Sequence, residues 1–267
     1  MKNLDVTKKD VIFPEQLPKI ILLCGPCRTG TTALSNVFVQ AGIESHMQPL
    51  KSIRRAKEND EQIPIWQVGN NNKIIHSKET FGLKDKAEFF NPAEILLNLG
   101  YPPERLIVIG MLRNPMQTFI SWKRLYGESM KEENLLRAFL LTDAIRKFCH
   151  KCGIQMIFYV HEAIRNNKPE VVISSLFQKL GINSSSSHLV DWRESPKFGD
   201  KDPRNRHLCF YDSPPKKFIE GVRDWGGYQY RNHPVPGTNH LPQDMFKIYE
   251  LFQKKCETFL NLKIKIL

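Results

Sequence analysis

The sequence predicts an α/β fold, in which a central parallel β-sheet lies between two layers of helices. Between residues 19 and 180, short continuous apolar runs alternate with segments whose apolar residues recur at helical spacing. Continuous apolar runs are typical of strands buried on both faces, and their alternation with helices indicates a parallel sheet. Ligands bind such sheets at the carboxyl ends of the strands, so we expect functional residues at that edge.

The composition fits a single globular domain over residues 1–267, with a hydrophobic fraction of 41%. The net charge of +11 favours an anionic partner, and the scattered basic residues favour a phosphate-rich small ligand over nucleic acid or a membrane. Because we recognise no secretion signal and no apolar run of about 20 residues, we expect a cytoplasmic protein. A homodimer is left open.

The elements are predicted from apolar periodicity and from helix boundary signals. Asn-Pro pairs start helices at 91–92 and 114–115, and glycines at 42, 100 and 181 end others. After an extended lead-in over 1–18, we predict strands at 20–23, 73–76, 105–112 and 154–160, a short strand or extended return within 42–48, and helices at 31–41, 53–61, 92–99, from 115, 134–151, 170–180 and 242–260. The region 183–240 lacks periodicity and is rich in Pro, Gly, Arg and aromatic residues, which predicts a long lid.

A glycine-bounded turn joins the first buried strand to the first helix. Its sequence, GPCRTGTT over 25–32, has both glycines and the final hydroxyl of a Walker A loop, GxxxxGK[ST], but Thr31 replaces the lysine. The basic residue is instead Arg28, inside the loop. Backbone N–H groups of such a loop, with the helix N-terminus, bind anions. The loop therefore predicts a phosphate-like ligand and argues against ordinary ATP hydrolysis.

The sequence contains two CxxC pairs, Cys24/Cys27 and Cys149/Cys152. Such pairs are typical of zinc sites. The first pair falls in a buried strand and in the anion loop, while the second ends a distant helix. We therefore favour buried thiols and expect no metal.

Two motifs together resemble those of sulfotransferases that use 3′-phosphoadenosine 5′-phosphosulfate (PAPS). RTGTT at 28–32 resembles the 5′-phosphosulfate loop of that family. LRNPMQTFISW at 112–122 resembles its 3′-phosphate motif, with Arg113 at a strand end and Ser121 eight positions on. A softer likeness covers 159–162 and 169–181. The resemblance spans about 19–182 and implies a three-layer fold like that of P-loop NTPases.

The resemblance also implies roles for individual residues. The loop would hold the 5′-phosphate, Arg28 would stabilise the charge that develops on the bridging oxygen, and Arg113 with Ser121 would bind the 3′-phosphate. The resemblance also implies that a basic, glycine-containing stretch in the lid contributes to binding of the 3′-phosphate. The expected donor-binding residues are Arg28, Thr29, Gly30, Thr31, Thr32, Arg113, Ser121, Lys197 and Gly199.

The acceptor must lose a proton, so a general base is expected near the sulfuryl group. The resemblance implies a lysine at the end of the strand 73–76, a role that Lys78 fits, with a His or Glu base close by. The usual family spacings of that base are not reproduced. Glu79, His76 and another residue therefore stay open as the base.

These observations predict a sulfotransferase that moves a sulfuryl group from PAPS, without a metal, to a hydroxyl or to an amine or carbamoyl nitrogen. The acceptor is expected to be a small molecule such as a microbial secondary metabolite, of which a saxitoxin-type alkaloid is one example. One alternative is a P-loop small-molecule kinase or NTPase with a degenerate Walker A loop. The other is a basic nucleic-acid-binding protein, although no recognition motif supports it.

Overall fold

The computed structural model describes residues 3–69, 73–82, 86–183, 189–193, 207–212, 226–234 and 240–265. Within these ranges the chain forms a central sheet of six parallel strands flanked by helices, which confirms the predicted α/β class. None of the helices in these ranges is long and apolar enough to cross a membrane.

The predicted strands and helices occur in the predicted order, and the short strands at 11–12, 66–67 and 208–210 and the helix at 163–166 are additional. The strands are β1 (Val11–Ile12), β2 (Lys19–Pro26), β3 (Ser45–Met47), β4 (Trp66–Gln67), β5 (Ile74–Phe81), β6 (Leu106–Leu112), β7 (Gln155–Val160) and β8 (Leu208–Phe210). The helices are α1 (Thr31–Gln40), α2 (Pro49–Asn59), α3 (Pro92–Asn98), α4 (Pro115–Tyr126), α5 (Glu132–Lys151), α6 (Ala163–Asn166), α7 (Pro169–Leu180) and α8 (Gln243–Leu260). Short 3₁₀ turns lie at Lys86–Glu88, Pro103–Arg105 and Gly127–Ser129.

The central sheet has the order β7-β6-β2-β5-β3-β8, and every neighbouring pair is parallel. The strand β2 lies between β6 and β5, where Ile20 pairs with Leu106 on one side and Ile75 on the other. All three side chains are buried. Helix α5 packs on β2, β6 and β7, while α1 packs on β2 and β5. The anion loop at 25–32 therefore follows the strand β2, and the two neighbours of that strand, β5 and β6, are themselves packed against helices.

Two helix starts confirm the predicted caps. The side-chain oxygen of Asn91 accepts hydrogen bonds from the first-turn amides of α3 at 3.1 and 3.3 Å. That of Asn114 accepts from the corresponding amides of α4 at 3.0 and 3.3 Å. Each cap satisfies backbone donors that have no partner inside their helix.

Three boundaries differ from the prediction. The strand β5 continues to Phe81 instead of ending at His76, because its polar residues are buried against partners from other elements. Helix α2 begins at Pro49 rather than at 53. Part of the lead-in pairs as β1 with β4 in a separate two-stranded sheet.

Candidate functional site

The loop between β2 and α1 owes its shape to two glycines. At Gly25 the strand β6 passes so close that a Cβ atom would lie 2.1 Å from the carbonyl oxygen of Met111. Gly30 has a φ of +97°, and a Cβ atom there would lie 2.6 Å from Nδ1 of His161. Both positions therefore exclude a side chain, and Gly30 also needs the left-handed conformation that glycine adopts at low cost. This explains why the loop carries glycines at the spacing of an anion-binding turn.

The loop is joined to helix α4, which carries the second motif. Nε of Arg28 donates a hydrogen bond of 3.1 Å to Oγ of Ser121. Nε1 of Trp122 donates to the carbonyl oxygen of Cys27 at 2.7 Å, and Sγ of Cys27 lies 3.6 Å from the hydroxyl of Tyr126. The two segments that the sequence marked as separate motifs are therefore in direct contact.

The N-terminus of α1 faces the same loop. Helix α1 has no side-chain cap at Gly30 and no acidic residue in its first turn. Oγ1 of Thr29 donates to the carbonyl oxygen of Pro26 at 2.8 Å, which tightens the loop. Such an uncapped helix start presents amide donors and a positive dipole end to an anion.

Lys78 brings a cation to this loop from β5. Its Nζ donates to Oγ1 of Thr32 at 3.0 Å. Burial, reinforced by the nearby charge of Lys51, lowers the pKa of Lys78 to about 8. The ammonium group is therefore charged in most molecules at pH 7 and lies beside the first turn of α1.

Arg113 lies at the carboxyl end of β6 and is only 5% exposed. Its guanidinium group donates to Oε1 of Gln117 at 3.4 Å and to the carbonyl oxygen of Arg231, and it lies 5.3 Å from the ring centre of Tyr230. Nε of Arg113 has no hydrogen-bond partner among the described residues. A buried guanidinium with one donor unsatisfied is a favourable partner for an anion.

The segment 226–234, which belongs to the region 183–240 that the sequence predicts as a lid, lies against Arg113. The side chain of Gln117 donates to the carbonyl oxygen of His233 at 2.9 Å and accepts from its amide at 2.8 Å. The hydroxyl of Tyr230 donates to Oε1 of Glu162 at 3.1 Å. That oxygen also accepts from the amide of Asn114 at 3.0 Å, so Glu162 ties the segment to the start of α4.

His161 is a further residue that the sequence did not identify as functional. It follows β7, and its ring is tilted by 37° against the ring of Tyr230, with 5.2 Å between ring centres. Burial and the charge of Arg113 lower the pKa of His161 to about 3, so the ring is neutral at pH 7. Its Nδ1 has no hydrogen-bond partner among the described residues and lies next to Gly30. A ligand bound in the loop would therefore lie near a neutral hydrogen-bonding atom, Nδ1 of His161.

Comparisons with known proteins add nothing to this geometry. A scan against protein-family models gives no match, and a search of curated proteins gives none either. Any functional assignment therefore depends on the residues of the site.

Glu79 has a structural partner that accounts for its burial. Its carboxylate accepts hydrogen bonds from the amides of Leu50 at 2.8 Å and Lys51 at 3.3 Å, at the start of α2. The side chain is fully buried, and this burial raises the pKa of Glu79 to about 8. Because Glu79 caps a helix, we do not include it as a base in the mechanism proposed below.

His76 lies within β5 and not at its end. One ring nitrogen is 3.1 Å from the carbonyl oxygen of Ile21, and the other is 2.9 Å from Oγ of Ser35. The ring stacks on Phe38 with 4.4 Å between centres, and burial lowers the pKa of His76 to about 3. These contacts make His76 part of the core, so we also leave it out of the mechanism.

Two of the expected donor contacts, Lys197 and Gly199, lie outside the described residues. The other expected residues are described: the loop with Arg28, the pair Arg113 and Ser121, and Lys78. Arg28 contacts Ser121, and Lys78 contacts the first turn of α1.

Proposed function

We propose that this chain is a PAPS-dependent sulfotransferase that acts on a small molecule, with a three-layer fold of the P-loop NTPase type. The observation that carries the proposal is the 3.1 Å hydrogen bond between Arg28 and Ser121, residues 93 positions apart. It joins the proposed 5′-phosphosulfate loop to the helix of the proposed 3′-phosphate motif. A donor with phosphate groups at both ends of its ribose needs two such anion sites next to each other.

In the proposed mechanism the loop amides and the hydroxyls of Thr31 and Thr32 bind the 5′-phosphate. Arg113 binds the 3′-phosphate through its guanidinium edge, with Ser121 nearby. The acceptor oxygen or nitrogen attacks sulfur, the bond between sulfur and the bridging oxygen breaks with its electron pair going to that oxygen, and the acceptor's proton passes to solvent water. Arg28 neutralises the charge that builds on the departing 5′-phosphate, which is electrostatic stabilisation of the transition state. The ammonium group of Lys78, on β5, helps to neutralise the same charge on the departing 5′-phosphate.

A small-molecule kinase is the second candidate, and one observation favours it. Nζ of Lys78 lies 3.0 Å from Oγ1 of Thr32, so an ammonium group stands beside the loop although position 31 has no lysine. In a kinase this group could replace the missing Walker lysine at the β- and γ-phosphates.

A thermal shift experiment separates the candidates. The protein is heated with 3′-phosphoadenosine 5′-phosphate (PAP), with Mg-ATP or with an oligonucleotide, each in a separate sample. At about 100 times its Kd a ligand stabilises the folded state by about 2.7 kcal/mol. We expect PAP to raise Tm without a metal and the other two ligands to leave it unchanged. A shift with Mg-ATP alone would support the kinase and overturn the sulfotransferase proposal.

The acceptor class is then found by transfer of labelled sulfate from PAPS to a panel of alcohols, amines and carbamates. Transfer to any member of the panel, abolished in Arg28→Ala, would support the proposed chemistry. An enzyme that binds PAP tightly and transfers sulfate to none of these groups would contradict the assigned reaction while preserving the assigned donor site.

A further inference from the structure

A second cluster of chemically reactive side chains lies at the edge of the central sheet, where β3 pairs with β8. His46 on β3 and Cys209 on β8 are registered partners, and Glu44 is two residues before His46. Because side chains two residues apart share a face of an extended chain, all three lie on one side of the sheet. One oxygen of Glu44, a ring nitrogen of His46 and the sulfur of Cys209 are within 4.8 Å of one another.

The imidazole of His46 is oriented for ligation. Its side chain is almost fully buried, and its Nδ1 lies 2.7 Å from the hydroxyl of Tyr211. Its Nε2 is 2.9 Å from Oε1 of Glu44, but the two groups are not aligned for a hydrogen bond. Histidines that bind metals usually donate their other N–H to an outer acceptor. If Nδ1 donates to Tyr211, the lone pair of Nε2 points toward Glu44 and Cys209.

The surroundings leave room for an additional ligand. A cavity of about 210 Å³ borders the cluster and is lined by its three members, by Tyr211 and by residues from β4 and its neighbours. Tetrahedral zinc, with bonds of about 2.0–2.3 Å, places its ligand atoms about 3.3–3.8 Å apart. A separation at the 4.8 Å limit would contract by about 1–1.5 Å, while the 2.9 Å between Nε2 of His46 and Oε1 of Glu44 would lengthen by about 0.4 Å. The cavity can supply a water molecule as the fourth ligand.

We propose that Glu44, His46 and Cys209 form a binding site for a divalent metal ion, with zinc as the preferred ion. A set of one imidazole, one carboxylate and one thiolate suits zinc better than magnesium or calcium, which prefer oxygen ligands alone. Binding displaces the thiol proton of Cys209 to solvent. The site is separated from the anion loop by β5 and does not depend on the proposed sulfotransferase activity.

The metal would connect two parts of the chain that are far apart in sequence. Among the described strands, β8 is the last in the sheet order and pairs with β3 alone. A zinc ion bonded to both strands would therefore fasten this edge strand to the sheet, and its binding free energy would add to folding stability.

Cobalt provides a direct probe, because a Co²⁺–thiolate bond gives a charge-transfer band in the near ultraviolet. The full-length protein is stripped with a chelator and titrated with Co²⁺. We expect this band to saturate at one ion per chain and to disappear on addition of Zn²⁺. The band should be absent in Cys209→Ser and retained in Cys152→Ser, which changes another half-buried thiol. Glu44→Gln should keep the band but weaken Co²⁺ binding at least tenfold.

A second measurement covers the case in which Cys209→Ser does not fold. The wild-type protein is alkylated with iodoacetamide with and without Zn²⁺, and each cysteine is quantified by mass spectrometry. We expect zinc to protect Cys209 and to leave Cys152 unchanged. Absence of a thiolate band in the wild-type protein, its persistence in a folded Cys209→Ser variant, or equal alkylation of Cys209 with and without zinc would each overturn the proposal.

Discussion

Replacing Arg113 with alanine tests the proposed 3′-phosphate site. The guanidinium group is 5% exposed, its Nε lacks a partner among the described residues, and another nitrogen donates to a peptide carbonyl. A 3′-phosphate would gain at least one charged hydrogen bond there, which has a net value of about 1.5–3 kcal/mol. Since 1.4 kcal/mol corresponds to a factor of ten, Arg113→Ala should raise the Kd for PAP about 10- to 150-fold.

The measurement compares two ligands by isothermal titration calorimetry. PAP carries a 3′-phosphate and AMP does not, so the Kd of AMP should be almost the same in the wild-type protein and in Arg113→Ala. Arg105→Ala is the matched control, because it removes an exposed arginine from the opposite end of β6. The reasoning is refuted if PAP and AMP lose affinity equally in Arg113→Ala, or if PAP affinity does not change.

Three further predictions concern the elements that shape the site. Glu79→Ala leaves two amides at the start of α2 without an acceptor and should lower the free energy of unfolding by about 2–4 kcal/mol, which corresponds to a Tm lower by roughly 5–15 °C. Glu79→Gln should lower it less. An unchanged Tm in Glu79→Ala would contradict the capping role. The pKa of His76 is about 3 in the folded protein and about 6.5 when unfolded, so the unfolded chain binds more protons between these values and stability falls as pH decreases below 6.5. Urea unfolding should show that His76 lowers the free energy of unfolding by about 2 kcal/mol when the pH falls to 5. In His76→Gln the decrease in this free energy should be smaller by about the same 2 kcal/mol. Gly30→Ala and Gly100→Ala both force alanine to a φ near +95°, which should lower the free energy of unfolding by about 1–2 kcal/mol in each variant. Only the new side chain at position 30 meets His161, so only Gly30→Ala should also weaken PAP binding. Equal PAP affinity in both variants would contradict this.

Local signals were sufficient to predict most of the fold. Apolar runs located β2, β6 and β7, and Asn91 and Asn114 located two helix starts, because caps and burial patterns depend on neighbouring residues. The second half of β5 was missed because it is polar. Lys78 and Glu79 are buried only because Thr32 and the start of α2 provide hydrogen-bond partners, and those partners are distant in sequence.

The positions of candidate site residues were predictable where these residues follow strands. Arg28 and Arg113 follow the neighbouring parallel strands β2 and β6, whereas Lys78 lies within the second half of β5. The segment 226–234 falls in the predicted lid, but its contacts with α4 and Arg113 could not be predicted, because they are made partly through backbone groups that any residue supplies. The structural roles of Glu79 and His76 were hidden for a related reason, since an acid or a histidine near a strand end has the same sequence signature in catalysis and in capping or packing.

The contact between Arg113 and the carbonyl oxygen of Arg231 has a consequence for the affinity of a bound anion. If Arg113 binds a phosphate as proposed, this peptide carbonyl would compete with the phosphate for the guanidinium group. The measured affinity for such an anion is then the intrinsic affinity multiplied by the fraction of molecules in which the carbonyl has moved away. Substitutions that loosen this segment would therefore tighten anion binding without touching any group that contacts the anion.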